Sequence, residues 1–266
     1  MLLRQYWRQE APGLLGWSLA LAASVFLMVG LYPAIRDSAG LPEVNRIAEQ
    51  LPPAMKAYMG GVTDLASLAG WLQVSVFGTV ATDLLLVWTA LACADILTRE
   101  VDHRTMEFLL SLPVGRSQVL GSRFLGLALN LAVLHGVLLA STGLAVTWVG
   151  GDADWRAYAL AALNAYLVLL ALGGLLLALT VFIDDYPRGL MSTMGVGIMV
   201  NFLNFVIEPG SRLAWLRRLS FFHYYDPGQV LRTATVPWDR VLFLTLSAAG
   251  LAGLAAWLFN RKQLSA

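Results

Sequence analysis

The chain has 266 residues, of which 58% are hydrophobic and only 13% are charged, and its mean hydropathy is +0.67. This composition excludes an ordinary water-soluble domain, which needs far fewer apolar residues. The net charge of +1 creates no overall field that would draw the chain to nucleic acid. With a single cysteine, Cys93, the chain cannot form an internal disulfide.

The chain begins with a basic, aromatic segment over residues 1–12. One helical face of this segment carries apolar and aromatic side chains with arginines beside them, which predicts a short helix lying in the headgroup region. These residues are Leu3, Arg4, Tyr6, Trp7 and Arg8. The alternative is the start of a signal peptide, but no small-residue cleavage site follows. We therefore predict an interfacial helix followed by an uncleaved first span.

Apolar runs of membrane-spanning length predict six transmembrane helices in a single domain, residues 1–266. A span needs about 20 residues. The runs cover residues 14–32, 70–97, 120–149, 157–183, 189–207 and 241–259. The fold class is therefore an all-α integral membrane protein.

Between the second and third spans lies the densest block of charge in the chain, residues 99–118. An apolar pattern at helical spacing runs through this block, formed by Met106, Leu109, Leu110 and Pro113. A polar block between two spans lies in water. Its apolar stripe therefore needs a cover. If a partner protein covers it, the block is a docking helix, and if lipid headgroups cover it, the block is an interfacial helix without a partner.

Residues 208–240 mix arginines with aromatic side chains, as is typical of a segment at the membrane boundary. An aromatic belt with arginines reaching toward water accounts for most of this pattern.

The order of residues in the charged block resembles the cytoplasmic coupling loop of type-2 ABC transporter permeases. In that family a Glu is followed by a Gly-Thr pair, a Leu-Leu-Ser-x-Pro-Val-x-Arg run and a basic residue that opens the next span. The matching residues are Glu100, Thr105, Glu107, Leu109, Leu110, Pro113, Val114, Arg116 and Arg123. Arg104 stands where the family has Gly, and Arg123 where it has Lys. Neither change removes charge or helix propensity.

Two further segments extend the resemblance. The string Leu219-Ser220, Phe222, His223-Tyr224-Tyr225, Asp226-Pro227 resembles the family segment between the fifth and sixth spans, where short helices dip into the outer leaflet and return. The ending Phe259-Asn260-Arg261-Lys262-Gln263-Leu264 resembles the family's closing Phe-x-Arg-Arg-Asp-Leu, with Gln263 where Asp is usual.

This resemblance implies the permease subunit of an ATP-driven exporter, with the architecture of type V ABC exporters. It implies an N-terminal interfacial helix, a coupling helix at 99–118 and a re-entrant segment at 208–240 on the outer side. The residues that it assigns to coupling with the ATPase are Glu100, Arg104, Thr105, Met106, Glu107, Leu109, Leu110, Pro113 and Arg116.

The same resemblance implies the partners: two copies of an ABC ATPase, a second permease chain that is identical or homologous, and membrane lipid. The only lysines are Lys56 and Lys262, and neither lies in a phosphate-binding P-loop sequence. ATP and Mg²⁺ are therefore expected on the ATPase subunits, and no cofactor or metal is expected in this chain. The sequence does not identify the substrate.

Charge alone does not decide the orientation of the chain in the membrane. The 18 lysine and arginine residues divide evenly between the two sides, although those on the side of the charged block lie in shorter segments. Cytoplasmic termini, and a location in the inner or plasma membrane, are what the resemblance implies.

Polar side chains inside the predicted spans are candidates for a functional site. Asp83 lies near the midplane, roughly 20 Å of helix rise from either end of the second span, and Asn130, His135 and Asn201 are further polar residues within spans. An unpaired carboxylate is costly there. Asp83 therefore either makes a helix–helix hydrogen bond or faces a wet substrate path, and the sequence leaves both open.

Catalysis by this chain is not expected, because it has neither an H-E-x-x-H nor a G-x-S-x-G motif. Two other functions stay open as alternatives. One is a secondary transporter without an ATPase partner, although such proteins often contain internal repeats and none is apparent here. The other is a polytopic membrane scaffold.

An even number of spans predicts that both termini lie on the same side of the membrane, which the resemblance implies is the cytoplasmic side. In a Cys93→Ser background, His103→Cys and Ala153→Cys should differ in labelling by an impermeant thiol reagent, because the two positions are predicted to lie on opposite sides. Equal labelling of both positions from outside would contradict the topology.

Overall fold

The structure is a computed structural model that describes residues 2–36, 67–99, 115–207 and 212–261, together with positions 46, 50 and 65. The described residues form helices joined by turns. The first half contains α1 (Leu2–Gly30), α2 (Tyr32–Arg36), α3 (Leu68–Leu72), a π-helix at Gln73–Leu84, α4 (Leu85–Ala94) and a second π-helix at Asp95–Arg99. The second half contains α5 (Arg116–Trp148), α6 (Trp155–Thr180), α7 (Tyr186–Val206), 3₁₀ helices at Ala214–Leu219 and Phe221–Tyr224, α8 (Pro227–Thr233) and α9 (Trp238–Arg261).

Five helical stretches are long and apolar enough to cross a membrane, which confirms an all-helical membrane protein. They are Ala11–Ala34, Leu68–Thr98, Ser117–Trp148, Trp155–Thr180 and Trp238–Arg261. The predicted fifth span corresponds to α7, which is not among these five. With 21 residues, α7 is about 31 Å long, close to the thickness of a bilayer's apolar core. A sixth span at α7 therefore stays a prediction.

The N-terminal segment is not a separate helix, contrary to the sequence prediction. Residues from Leu2 onward belong to the single helix α1, which continues through Pro12 into the first span. Pro12-Gly13 is a dipeptide that often marks a turn, but here the helix continues through it. Proline is tolerated in membrane helices when the surrounding structure satisfies the freed backbone groups. Contact of residues 1–12 with headgroups stays a prediction.

The second span is continuous but is not an α-helix throughout. It passes from α3 through the π segment, as we call Gln73–Leu84, into α4 and then into the second π-helix. A π-helix is formed by i→i+5 hydrogen bonds and is rare beyond a single turn. Hydropathy did not predict this change, because it marks a run of spanning length without distinguishing an i→i+5 ladder from an i→i+4 ladder.

Side-chain caps define where several helices begin. Asp154, Asp185 and Asp226 each accept a hydrogen bond from the backbone N–H three residues later, at 3.0, 2.9 and 2.9 Å. Short acidic side chains satisfy the unpaired N–H groups of a first helical turn. Helices α6, α7 and α8 therefore each begin at an N-capping aspartate.

Helix α6 lies at the centre of the bundle and contacts α4, α5 and α9. Two adjacent glycines allow this close approach. A Cβ at Gly173 would lie 2.9 Å from Leu127 of α5, and one at Gly174 would lie 3.0 Å from Leu251 of α9. Small residues at such positions let membrane helices approach closely, which is a main source of their association energy.

The end of the second span and the turn between α6 and α7 lie at the same end of the bundle. A Cβ at Gly189, near the start of α7, would lie 2.6 Å from the side chain of Thr98. The turn at residues 181–185 therefore lies on the side where the charged block 99–118 leaves the second span.

The close packing at Gly174 predicts a sharp sensitivity to size. Gly174→Val should lower the free energy of unfolding by about 1 to 3 kcal/mol, because the new side chain meets the backbone of α9 as well as Leu251. SDS titration in mixed micelles measures this change. Gly253→Val is the matched control, since nothing lies within 4 Å of a Cβ at Gly253. Equal losses in the two variants would contradict this account of the packing.

Candidate functional site

Most of the residues predicted to couple to an ATPase lie outside the described residues. These are Glu100, Arg104, Thr105, Met106, Glu107, Leu109, Leu110 and Pro113. Arg116 is the first residue of α5, and its backbone alone is described. The coupling role of these residues stays a prediction.

The structure brings together two of the predicted intramembrane polar residues. Asn201 Nδ2 in α7 donates to Asp83 Oδ1 in the second span at 3.0 Å. The Thr82 hydroxyl lies 3.4 Å from the same carboxylate oxygen. Asp83 and Asn201 are both half-buried. This pair therefore links the end of the π segment to α7 and leaves the carboxylate partly accessible.

The other two predicted residues lie on α5 and are buried. His135 Nδ1 is 2.8 Å from the carbonyl oxygen of Leu131, and its ring meets Tyr166 of α6 edge-on with centroids 5.7 Å apart. Among the described residues, Asn130 Oδ1 and His135 Nε2 have no hydrogen-bond partner. His135 thus lies in the α5–α6 packing and Asn130 is buried on α5, whereas Asp83 and Asn201 link the second span to α7.

The segment between α7 and α9, residues 212–237, is held against α7 by polar contacts. We call it the return segment. The buried Ser220 hydroxyl donates to the carbonyl of Val200 at 2.6 Å. Asn204 Nδ2 donates to the carbonyl of Phe222 at 3.2 Å. The 3₁₀ helix Phe221–Tyr224 is therefore fixed to the last turns of α7.

The return segment also binds the second span. The Tyr225 hydroxyl donates to the carbonyl of Phe77 at 2.9 Å, and Arg232 Nη1 donates to Gln73 Oε1 at 3.3 Å. Burial raises the pKa of the Tyr225 phenol, and the negative charge of Asp226 raises it further. The hydroxyl therefore keeps its proton at physiological pH and remains a donor.

The aromatic-belt interpretation holds for only part of the return segment. Trp215 and Leu219 are exposed, as a belt requires, but Phe221 and Phe222 are buried in the bundle. Sequence reasoning did not predict Ser220 or Tyr225 as contact residues. The available signal was the string Leu219 to Pro227, which was recognised as a family feature without a role for each residue.

A bundle of long apolar helices with polar contacts between its spans defines a multi-pass membrane protein. The family model of the ABC-2 family transporter proteins matches residues 17–264. The chain therefore belongs to the ABC-2 transporter family, and it is a membrane permease of an ABC transporter. Members of this family are in general non-catalytic membrane subunits that work with ABC ATPase subunits. A comparison with curated proteins finds no match.

The contact between Asp83 and Asn201 predicts different effects for two substitutions. Asn201→Leu removes the donor and should lower the free energy of unfolding by about 0.6 to 2 kcal/mol. Asp83→Asn should cost less, because its amide oxygen still accepts from Asn201. Unfolding in mixed micelles measures both, and Thr245→Val is the control, since that exposed hydroxyl bonds only to its own helix at Val241. A larger loss from Asp83→Asn than from Asn201→Leu would contradict this arrangement.

Proposed function

We propose that the chain is the transmembrane subunit of an ATP-driven exporter, in which separate ATPase subunits hydrolyse the ATP. The observation that carries this proposal is the family match over residues 17–264. It covers all five helical stretches of spanning length apart from the first residues of Ala11–Ala34. The match is thus to the membrane domain as a whole and not to one short motif.

The proposed assembly contains two permease chains, identical or homologous, and two ATPase subunits. ATP and Mg²⁺ bind to the ATPase subunits, because the chain has no P-loop sequence. The termini and the charged block face the cytoplasm, and the assembly lies in the inner or plasma membrane.

Energy would reach the permease through the coupling helix at 99–118. ATP binding closes the ATPase pair, and the helix carries that movement into the second and third spans. Two described elements flank the block, the π-helix Asp95–Arg99 and the start of α5. A movement of the block would therefore act directly on both spans. Coupling of this kind requires a bistable element with different contacts in its two states.

A surface hollow at the same end of the bundle supports the docking of a protein there. It has a volume of about 520 Å³ and lies at the turn between α6 and α7. Its rim combines charged side chains, Asp184 and Arg188, with the strongly exposed apolar side chains of Phe182 and Met191. Exposed apolar groups ringed by charge are typical of protein-binding surfaces.

The substrate path is proposed to run beside Asp83 and Asn201. Both side chains are half-buried and both lie on helices, the second span and α7, that pack against each other. A partly accessible carboxylate within a span is costly unless it is hydrated or contacts polar cargo. If Asp83 lines the path, Asp83→Asn impairs transport more than it impairs folding.

The coupling role of the charged block predicts that Leu109→Asp releases the ATPase. A buried apolar anchor at the centre of an interface contributes about 2 kcal/mol or more, so affinity should fall roughly thirtyfold. Glu100→Gln should have a milder effect, because exposed charges contribute about 1 kcal/mol or less. Co-purification of a candidate ABC ATPase subunit, together with ATP hydrolysis by the complex, measures both changes.

Leu264→Asp is the matched control, since it adds the same charge near the C-terminus on the proposed cytoplasmic side. It should leave both co-purification and ATP hydrolysis unchanged. If Leu109→Asp also leaves them unchanged, residues 99–118 are not the coupling element.

A further inference from the structure

The backbone of the second span departs from an α-helix over twelve residues, Gln73–Leu84. Most π-helical segments in proteins are a single turn, and many occur at functional sites. A stretch of this length needs interactions that favour it over the α-helix that the same residues could form. Side chains that donate to its carbonyl groups supply such interactions.

Hydroxyl groups contact the π segment from within and from outside. Thr79 Oγ1 donates to the carbonyl of Val74, five residues earlier, at 3.0 Å, and the Thr82 hydroxyl donates to that of Gly78. From outside, the Tyr225 hydroxyl donates to the carbonyl of Phe77 at 2.9 Å. Phe77 is itself fully buried, near the middle of the segment. A carbonyl has two lone pairs and can accept from a side chain as well as from the backbone. A side chain inserted among the backbone hydrogen bonds is a recognised cause of irregular helix geometry.

A second contact lies at the first residue of the π segment. Gln73 is 2% exposed and accepts from Arg232. A Cβ at Gly228 would lie 2.4 Å from the Gln73 side-chain amide, so α8 packs directly on that amide. The return segment therefore touches the π segment at its start and at its middle.

Both ends of the π segment are tied to other helices. Just before it, Trp71 Nε1 donates to the carbonyl of Met28 in α1 at 2.8 Å. At its end, Asp83 accepts from Asn201 of α7. An i→i+5 ladder places more residues in each turn than an i→i+4 ladder. Conversion to α-helix would rotate one end relative to the other, so these two contacts cannot both survive it.

We propose that Tyr225 is a positioning residue that holds Gln73–Leu84 as a π-helix by donating to the Phe77 carbonyl. The π-helix in turn aligns Asp83 with Asn201 while Trp71 stays bonded to α1. The same bond ties the return segment to the second span, so that a movement of the second span also moves the return segment. This last consequence rests on the proposed function, whereas the positioning role does not.

Tyr225→Phe tests the positioning role, because it removes one hydroxyl and keeps the ring. Two cysteine pairs in a Cys93→Ser background report on the two ends of the π segment. Leu68→Cys with Gly151→Cys joins α3 to the α5–α6 turn, and Leu86→Cys with Gly197→Cys joins α4 to α7. A Cβ at Gly151 would lie 2.9 Å from the Leu68 side chain, and one at Gly197 would lie 3.3 Å from the Leu86 side chain. The readout is the rate of disulfide formation with copper phenanthroline, measured on this chain without an ATPase.

With Tyr225 intact, both pairs should form disulfides readily. In Tyr225→Phe at least one pair should slow by about tenfold, the change expected for the loss of one hydrogen bond to a buried carbonyl. Tyr224→Phe is the matched control, because its hydroxyl donates to Arg218 within the return segment itself, and both pairs should keep their rates. Unchanged rates in folded Tyr225→Phe would overturn the proposal. Should that variant not fold, Tyr225→Met fills the site with a flexible apolar chain and carries the same expectation.

The link between the second span and the return segment is tested with the ATPase bound. Tyr225→Phe should still co-purify with the ATPase, whereas the change that ATP and vanadate produce in the Leu68–Gly151 disulfide rate should be lost. A Tyr225→Phe complex that responds to nucleotide as the parent does would overturn the link. The measurement without ATPase stands by itself, so it remains decisive for the positioning role even if docking of residues 99–118 fails.

Discussion

Backbone hydrogen bonding inside lipid is the constraint on which the rest of this structure depends. No water is present in the apolar core, so each N–H and C=O group needs a partner within the protein. Long helices meet this requirement through their own backbone bonds. In the first turns of α6 and α7, aspartate caps accept from N–H groups that the helix leaves unpaired. Hydroxyl side chains bond back to carbonyls of the preceding turn, as Thr89 does at Leu85 with a distance of 2.7 Å. The π segment meets the same requirement with a different ladder and additional donors.

The helices of the bundle contact each other in two ways. Close apolar packing surrounds α6, and polar bonds join α7 to the second span. At Gly173 and Gly174 the helices meet through small residues and apolar side chains, and such contacts are dense and geometrically strict. Helix α7 meets the second span partly through polar bonds instead, including Thr193 to the carbonyl of Ala90 at 3.0 Å. Polar bonds between membrane helices contribute modestly to stability. The junction of α7 with the second span is therefore the more suitable place for helices to shift during transport.

The return segment connects these two elements on one side of the protein. Ser220 and Asn204 fix it to α7, while Tyr225 and Arg232 fix it to the second span. Each bond joins side chain to backbone or side chain to side chain across different elements. These bonds keep the return segment in contact with both α7 and the second span. Asp83 and Asn201 lie on the same two helices.

The sequence by itself determined the positions of five apolar spans and the family, because hydropathy and motif order are local properties. It did not determine orientation, because the basic residues divide evenly between the two sides. Only the tertiary structure decided that residues 2–30 form one helix and that Gln73–Leu84 is π-helical, since hydropathy marks a spanning run without distinguishing the two ladders of backbone hydrogen bonds. It also decided the partners of Asp83 and Phe77, which bond to residues 118 and 148 positions away. Contacts over such separations follow from how the helices pack, and no local pattern encodes them.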